Sequence, residues 1–246
     1  MTVRVLFFGL LKDVVGRSED TVSLPADATI GTLFASYASQ HPKLHEMADS
    51  IALARNHEFA APEVALSDGD EVALMPPVSG GADVPDGWVG AASDGNDSFY
   101  ALTRKPIDSP ALARRIVSGA DGAVITFEGV VRNNSGGRTT KYLEYECYAP
   151  MALKTMQQLG QEIVERHAIH RIAMVHRLGR LAIGEASVSI VVVAAHRLAA
   201  YEASLEAINR LKKIVPIWKK EYFETGEAWV EGDWEEALTR SAGTSP

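Results

Sequence analysis

Apolar positions in residues 1–81 fall into four short runs with the length and composition of β-strands. The runs are VRVLFF near the start, TVSLP at 21–25, IALARN at 51–56 and EVALMP at 71–76. The sequence SDGD, which is typical of turns, precedes the last run. The pattern therefore predicts four strands in this region.

A helix is predicted between the second and third runs, at residues 29–40. Its apolar side chains recur three and four positions apart, at Ile30, Leu33, Phe34 and Tyr37. Thr29 is the predicted N-cap, and His41-Pro42 is expected to end the helix. Two strands, one helix and two further strands in this order predict a β-grasp, ubiquitin-like domain at residues 1–81.

Residues 99–246 carry a second series of predicted elements. Strands are predicted at 123–132, at 140–148 and in the runs IHRIAMVHRLG and ASVSIVVVAAHR, the last apolar enough for the centre of a sheet. Helices are predicted at 150–166 and 198–214, and Pro216 is expected to stop the second. Because strands and helices do not alternate strictly, the predicted class is α+β.

The segment between the two regions, ADVPDGWVGAASDGNDS at residues 82–98, is rich in Gly, Asp, Ser and Ala. This composition predicts a flexible acidic linker. The alternative is a folded loop held in place by Trp88.

The overall composition is that of an ordinary globular chain, with 46% hydrophobic and 23% charged residues among 246. No run of about 18 apolar residues predicts a transmembrane helix. The start, MTVRVLFFGLLKDVV, is interrupted by Arg4 and Lys12 and is expected to form a strand rather than a signal peptide. Since Cys147 is the single cysteine, neither an internal disulfide nor a cysteine-rich metal site is expected. We therefore expect a cytoplasmic protein.

The net charge of −8 is unevenly spread. Residues 1–81 carry 5 Lys/Arg against 11 Asp/Glu, the linker carries four Asp, and residues 99–246 carry 19 Lys/Arg against 17 Asp/Glu. An acidic front and a mildly basic back could attract each other. Nucleic acid is a poor candidate partner at this overall charge.

The β-grasp region ends in Ser79-Gly80-Gly81. Glycines can thread a channel too narrow for other residues. Ordering the segment costs roughly 1–2 kcal/mol per residue of backbone entropy, so a partner groove must supply contacts. A C-terminal diglycine is useful where its carboxylate is adenylated and then attacked by a nucleophile. The alternative is a plain Gly-Gly at the start of a linker.

A run of basic residues lies in the second region: His196, Arg197, Arg210, Lys212, Lys213, Lys219 and Lys220. One interpretation is a solvated helix face. The other is an anion site, because His196-Arg197 opens a helix whose N-terminus favours anions. Lys212 and Lys219 flank the apolar sequence IVPIW, which could desolvate an amine and depress its pKa.

The length of the predicted helix constrains such a site. Arg197 and Lys212 would lie about 22 Å apart along it, too far for one small pocket. If both act on one substrate, they come from two protomers, which predicts a homodimer through residues 99–246. Arg132, at a strand end beside the loop NNSGGR, is either a second anion ligand or a simple loop charge. From the pattern alone, Phe127 is expected in the core and Cys147 at a packed or edge position.

The chain resembles molybdopterin synthase, with both subunits in one polypeptide. The front is similar to the small, ubiquitin-like sulfur-carrier subunit in VLFFGLLKDVVG and DGDEVALMPPVSGG. The back is similar to the large, catalytic subunit in GAVITFEGVVRN, YECYAPMA, HRLGRLAIGE, AAHRLAAYEA and RLKKIVPIWKKE. Nearly the whole chain is covered, except the linker and the C-terminal end.

The resemblance implies an α/β-hammerhead-type fold for residues 99–246. It also implies conversion of cyclic pyranopterin monophosphate (precursor Z) to molybdopterin by insertion of two sulfurs. Sulfur would arrive as a thiocarboxylate on Gly81, beside Lys212 and Lys219 as catalytic residues, with no metal and no tightly bound cofactor. The implied substrate-binding residues are Arg132, His196, Arg197, Lys212, Lys219, Lys220 and Glu221, with Phe127 beside the pocket.

The chain departs from the family's pattern in two places. Asp233, in WVEGDW, stands where the family often has an arginine, which puts phosphate binding there in doubt. The peptide bond after Gly81 leaves no free carboxylate to adenylate. We therefore expect a protease to cut behind Gly81, an adenylating and sulfur-loading enzyme to act on the tail, and the halves to assemble as a heterotetramer. The rival account is an intact tether of about 21–25 Å r.m.s. that aids assembly but is inactive until cut.

Two other functions stay open. One is a ubiquitin-like protein modifier joined to its binding domain, which would become linked to lysines of other proteins through Gly81. The other is a sulfur carrier for a different acceptor, such as a thiolated RNA base or a thiazole, although the acidic balance argues against RNA. Neither predicts that pterin sulfuration depends on Lys212.

Overall fold

A computed structural model describes residues 1–76, 88–224 and 226–230. The chain divides into two compact units, a first that begins at Met1 and a second that ends at Ala228. Gly81, the first part of the predicted linker and Asp233 lie outside the described residues.

The first unit is a five-stranded sheet with one main helix. Its strands are β1 (Thr2–Phe7), β2 (Glu19–Ser23), β3 (Ala52–Arg55), β4 (Glu58–Phe59) and β5 (Glu71–Met75), and its helices are α1 (Leu10–Val15), α2 (Ile30–Gln40) and α3 (Pro42–Glu46). The strand order is β2-β1-β5-β3-β4, with β1 and β5 parallel and the other pairs antiparallel. The predicted β-grasp fold is confirmed.

The amphipathic pattern of α2 is what joins it to the sheet. Ile30, Leu33 and Tyr37 are buried against alternate residues of β1, and the rings of Tyr37 and Phe7 meet edge to face at 5.0 Å. The Thr29 backbone N–H donates to Thr32 Oγ1 at 2.8 Å, and the Thr32 N–H donates back to Thr29 Oγ1 at 3.2 Å. This reciprocal cap confirms the predicted start of the helix.

The second unit contains ten strands and three helices within the described residues, and its last strand continues two residues past Ala228. The strands are β6 (Trp88–Ser93), β7 (Phe99–Thr103), β8 (Ala123–Val130), β9 (Asn134–Ser135), β10 (Arg138–Cys147), β11 (Arg171–Arg177), β12 (Gly179–Ala182), β13 (Ala186–Ala194), β14 (Ile217–Phe223) and β15 (Gly226–Val230). The helices are α4 (Ser109–Ile116), α5 (Ala149–His167) and α6 (Arg197–Ile214). The mixture confirms the predicted α+β class.

These strands form two sheets. The larger has the order β6-β7-β11-β13-β8, with α4 on one face and α5 and α6 packed side by side on the other. The central strand β13 is buried along nearly its whole length, as its apolar run predicts. The smaller sheet has the order β12-β10-β14-β15, and β9 pairs with β10.

The prediction of a linker at 82–98 is wrong at its C-terminal end. Trp88–Ser93 pairs antiparallel with β7 as the edge strand of the larger sheet. Asp94 closes the hairpin, because its Oδ1 accepts the backbone N–H of Asn96 and of Ser98 at 3.0 Å each. The Gly, Asp and Ser residues at positions 90–98 therefore form a strand and its turn. The described residues contain no helix long and apolar enough to cross a membrane.

Candidate active site

Helix α6 carries three of the predicted site residues. His196 is the N-cap residue with extended backbone, Arg197 is the first helical residue, and Lys212 lies in the last turn. All three side chains are exposed. Because the helix runs unbroken from Arg197 to Ile214, the two ends stay about 22 Å apart in one protomer. The structure thus keeps Arg197 and Lys212 from sharing one small pocket within a single chain.

The same helix exposes an apolar stripe. Leu198, Tyr201 and Leu205 retain 66%, 61% and 63% of their accessible surface. Their spacing of three and four residues puts them on one side of the helix, and Lys212, seven residues after Leu205, continues that side. Large apolar side chains that are aligned and exposed in this way are typical of contact surfaces.

Lys219 and Glu221 form an ion pair on β14. Lys219 Nζ lies 2.9 Å from Glu221 Oε1, and the two side chains are 30% and 5% exposed. Glu221 Oε2 is buried and has no hydrogen-bond partner among the described residues. A buried carboxylate needs a compensating charge, so Glu221 holds the Lys219 ammonium close to the sheet.

Lys220 lies on the opposite face of β14, because successive strand residues alternate between faces. Its Nζ contacts the Glu227 carboxylate and lies 5.5 Å from the centroid of the Tyr222 ring. The structure therefore brings Glu221, but not Lys220, to the face that carries Lys219.

The exposed Arg132 follows directly on Val131, which is buried just after β8. Val131 packs against Leu143 and Leu181, with Tyr145 at the edge of this small core. Leu143 pairs with Glu221 across β10 and β14. This packing brings the backbone of Arg132 to the sheet face that carries Lys219 and Glu221.

Phe127 is half-buried in β8, opposite Ile190 of β13. Glu128, the next residue, bonds to Ser109 of α4, so Phe127 faces the other side of the sheet, where α6 packs. A Cβ at Gly129 would lie 3.8 Å from Phe127 Cε1. Phe127 therefore lies on the side of β8 that continues towards Val131.

Arg210 does not belong to the basic group that the sequence suggests as an anion site. Its Nη2 donates to Glu162 Oε2 at 2.5 Å and its Nη1 to Glu206 Oε1 at 3.1 Å. Glu206 also accepts from Arg166 at 2.6 Å and lies 2.8 Å from His167 Nε2. Arg210 is thus buried in an ion-pair cluster. Because Glu162 and Arg166 belong to α5 and Glu206 and Arg210 belong to α6, the cluster joins the two helices. The pairing with Glu162 could not be predicted, because the two residues lie far apart in the sequence.

Cys147 is half-buried at the end of β10. Burial, with a smaller contribution from Glu146, raises the pKa of its thiol to about 12. The thiol therefore stays protonated and is a poor nucleophile. No group of three or more His, Cys, Asp or Glu side chains able to hold a metal ion occurs within residues 1–76, 88–224 and 226–230.

One neighbour of these groups could not be recognised from the sequence. Tyr145 lies directly opposite Lys219 in the register of β10 and β14. The apolar periodicity does not predict β14, so the pairing of Tyr145 with Lys219 has no signal in the sequence. The alternation along β10 does place Tyr145 and Cys147 on one face.

The structure is that of a two-unit α+β protein: a ubiquitin-like unit, and a second unit with exposed basic side chains at both ends of α6 and just after β8. Residues 102–214 match the MoaE protein family, and residues 5–81 match the ThiS family.

Individual relatives agree with these matches. The chain is 46% identical over 131 residues to the molybdopterin synthase catalytic subunit of Bacillus subtilis, covering 53% of this chain and 83% of that protein. It is 47% identical to the corresponding subunit of Halalkalibacterium halodurans, covering 53% and 84%. The crystal structure of molybdopterin synthase from Staphylococcus aureus matches with a TM-score of 0.51 at 43% identity, over 52% of this chain and 94% of that one. The chain belongs to the family of molybdopterin synthase catalytic subunits and carries a ThiS-family domain in front, in the same polypeptide.

Proposed function

We propose that this chain is a molybdopterin synthase of molybdenum cofactor biosynthesis that converts cyclic pyranopterin monophosphate to molybdopterin. The observation that carries the proposal is the presence of a ThiS-family unit and a MoaE-family unit in one polypeptide. A sulfur carrier joined to a catalytic subunit supplies both halves of a sulfurtransferase. The exposed and half-buried cations of the second unit supply the complement to a phosphate-bearing substrate.

Gly81 carries the sulfur in this proposal, as a thiocarboxylate. Each transfer forms one carbon–sulfur bond on the pterin side chain and breaks the carbon–sulfur bond at Gly81. The glycine returns to a carboxylate with an oxygen that comes from water or from the pterin side chain. Two such transfers complete the dithiolene without a net oxidation or reduction.

The residues of the second unit divide the remaining work. Arg132, His196 and Arg197 bind the cyclic phosphate and stabilise developing charge. Lys212, at the exposed end of α6, transfers a proton or holds an intermediate. Lys219, held by its ion pair with Glu221, supplies a positive charge in addition to that of Lys212.

We further propose that the site draws on two protomers. The 22 Å length argument separates Arg197 from Lys212 in one chain. The exposed stripe of Leu198, Tyr201 and Leu205 offers the apolar surface that a second copy would cover. After a cut behind Gly81, two front units and a dimer of second units make a heterotetramer. The partners outside the chain are then a processing protease and an adenylating, sulfur-loading enzyme.

The test is pterin sulfuration by the processed protein, with Lys212→Ala as the variant. We expect at least a hundredfold loss of product formation, since a group that transfers a proton contributes roughly 10²–10⁴-fold. Lys105→Ala, at an exposed loop position of the same unit, is the matched control and keeps the parent rate.

The two competing functions predict a different result. A protein modifier, or a carrier for another acceptor, would give no Lys212-dependent product from the pterin. Other proteins linked through their lysines to Gly81 would then support the modifier function.

A further inference from the structure

Tyr145 stands between the two parts of the candidate site. It lies directly opposite Lys219 across β10 and β14, so the two side chains leave the same face of the smaller sheet. Directly opposed residues in antiparallel strands have their Cβ atoms about 4.5–5.5 Å apart. Leu143 and Glu221 form the neighbouring pair on this face.

The ring of Tyr145 is held from two sides. It packs at the edge of the core formed by Val131, Leu143 and Leu181. It also meets the buried His176 ring edge to face, with 5.0 Å between centroids and 64° between planes. His176 belongs to β11 of the larger sheet, so the Tyr145 ring bridges the two sheets.

The hydroxyl group extends this bridge to β8. It hydrogen-bonds Ser187 of β13, and Ser187 Oγ donates to the backbone carbonyl of Gly129 at 3.0 Å. The Ser187 hydroxyl therefore links the Tyr145 hydroxyl to the Gly129 carbonyl. At Gly129 the strands are close, since an added Cβ would lie 2.7 Å from Val188 Cγ1.

We propose that Tyr145 is a positioning residue that sets the distance between Lys219 and the end of β8 from which Arg132 emerges. This inference rests on the proposed function, because it assumes that Lys219 and Arg132 act on one anionic substrate. Tyr145 itself does not react. Its hydroxyl is already committed to Ser187, while its ring fixes the sheet that carries Lys219.

Tyr145→Phe, made in the full chain and assayed after processing, keeps the ring and removes the hydroxyl. We expect KM for the cyclic pyranopterin to rise about threefold to tenfold, the value of one hydrogen bond, with kcat within about twofold of the parent. Ser187→Ala breaks the same connection and should give a similar rise. The double variant should be no worse than the poorer single variant, because both changes remove one linkage.

Tyr142→Phe is the matched control. Tyr142 lies on the same strand but on the opposite face, stacked on Tyr222 at 4.3 Å, and its change should leave KM unaltered. Additive effects of Tyr145→Phe and Ser187→Ala would overturn the proposal. So would a fall in kcat at unchanged KM, which would mark a group that takes part in the reaction.

A second readout separates this inference from the proposed function. Inorganic pyrophosphate binding to the uncut chain, measured by calorimetry, needs no sulfur transfer. A Kd raised about threefold to tenfold by Tyr145→Phe but not by Tyr142→Phe supports the positioning role even if the parent forms no molybdopterin. An unchanged Kd together with an unchanged KM refutes it.

Discussion

His176 is a residue whose charge is fixed by burial. It lies inside the second unit, and its Nδ1–H donates to the Arg177 carbonyl at 2.9 Å. Burial lowers the pKa of the imidazole to about 4, despite that hydrogen bond. In the unfolded chain the same group has a pKa of about 6.5. The unfolded state therefore binds more protons between these values, and stability falls as the pH drops through this window.

The prediction is a loss of about 2 kcal/mol of unfolding free energy through His176 between pH 7 and pH 5. Urea unfolding at both pH values measures it. His176→Asn keeps a donor for the Arg177 carbonyl but does not titrate, so its loss between the two pH values should be smaller by that amount. Equal losses in parent and variant would show that the His176 imidazole is protonated as readily in the folded chain as in the unfolded chain.

Asp121 provides an internal comparison at lower pH. Burial alone would raise the pKa of its carboxyl group, but hydrogen bonds from His170, Ser118 and Arg171 lower it to about 2. Its contribution is therefore complete above pH 3.8 and is lost only as the pH falls towards 2. Asp121 therefore contributes almost nothing to the change in unfolding free energy between pH 7 and pH 5.

At the scale of elements, the contact of α5 with β7 depends on one glycine. A Cβ at Gly160 would lie 2.2 Å from Tyr100 Oη and 2.3 Å from Cε1 of the same ring. Alanine is the better helix former by about 1 kcal/mol. The clash should outweigh this gain, because the Tyr100 hydroxyl is anchored to Asp94 at 3.1 Å.

We therefore expect Gly160→Ala to lower the unfolding free energy by about 1–3 kcal/mol, measured by thermal or urea unfolding. Gly119→Ala is the control, since a Cβ there meets no atom within 4 Å. A variant as stable as the parent would mean that α5 shifts away from β7 at little cost.

Elements with a strong period can be predicted from this sequence, and those set by distant partners cannot. The run Ala186–Ala194 and the helix α6 have the apolar patterns of a central strand and a long helix, and both form as expected. The strand Trp88–Ser93 is short and rich in glycine and alanine, and only pairing with β7 makes it a strand. The pattern IWKKEYF has charges on both faces, and β10 and β15 supply its pairing.

The same limit applies to the site. The apolar sequence after Lys212 and the helix start at His196 can be recognised locally, and both lie at the ends of α6 as predicted. Arg210 resembles its basic neighbours in sequence but is paired with Glu162 of another helix. The separation of Lys219 from Lys220 onto two faces follows only once β14 is known to be a strand.

At the scale of the whole molecule, the position of Gly81 suits a cut between two finished sheets. The last strand of the first unit, β5, ends at Met75, and the first strand of the second unit, β6, begins at Trp88. A cut behind Gly81 therefore removes no described strand from either sheet. Both products would keep their cores, in agreement with separate subunits in the proposed function.

Intact mass spectrometry of the protein from the cells that make it tests this prediction. We expect one product that ends at Gly81, part of it with an oxygen replaced by sulfur, and a second product that begins at Ala82. Replacement of Gly80-Gly81 by two alanines is the control and should abolish the sulfur-bearing species.

A single uncut chain of 246 residues in the sulfur-loaded, active protein would contradict the cleavage prediction. If the chain is uncut and inactive, its activity is compared with that of separately made fragments 1–81 and 82–246. The fragments are combined with the sulfur-loading enzyme. Activity restored by the fragments would locate the defect in a missing protease, because the peptide bond after Gly81 is then the only difference. If the fragments are folded but inactive, Gly81 is not the sulfur carrier.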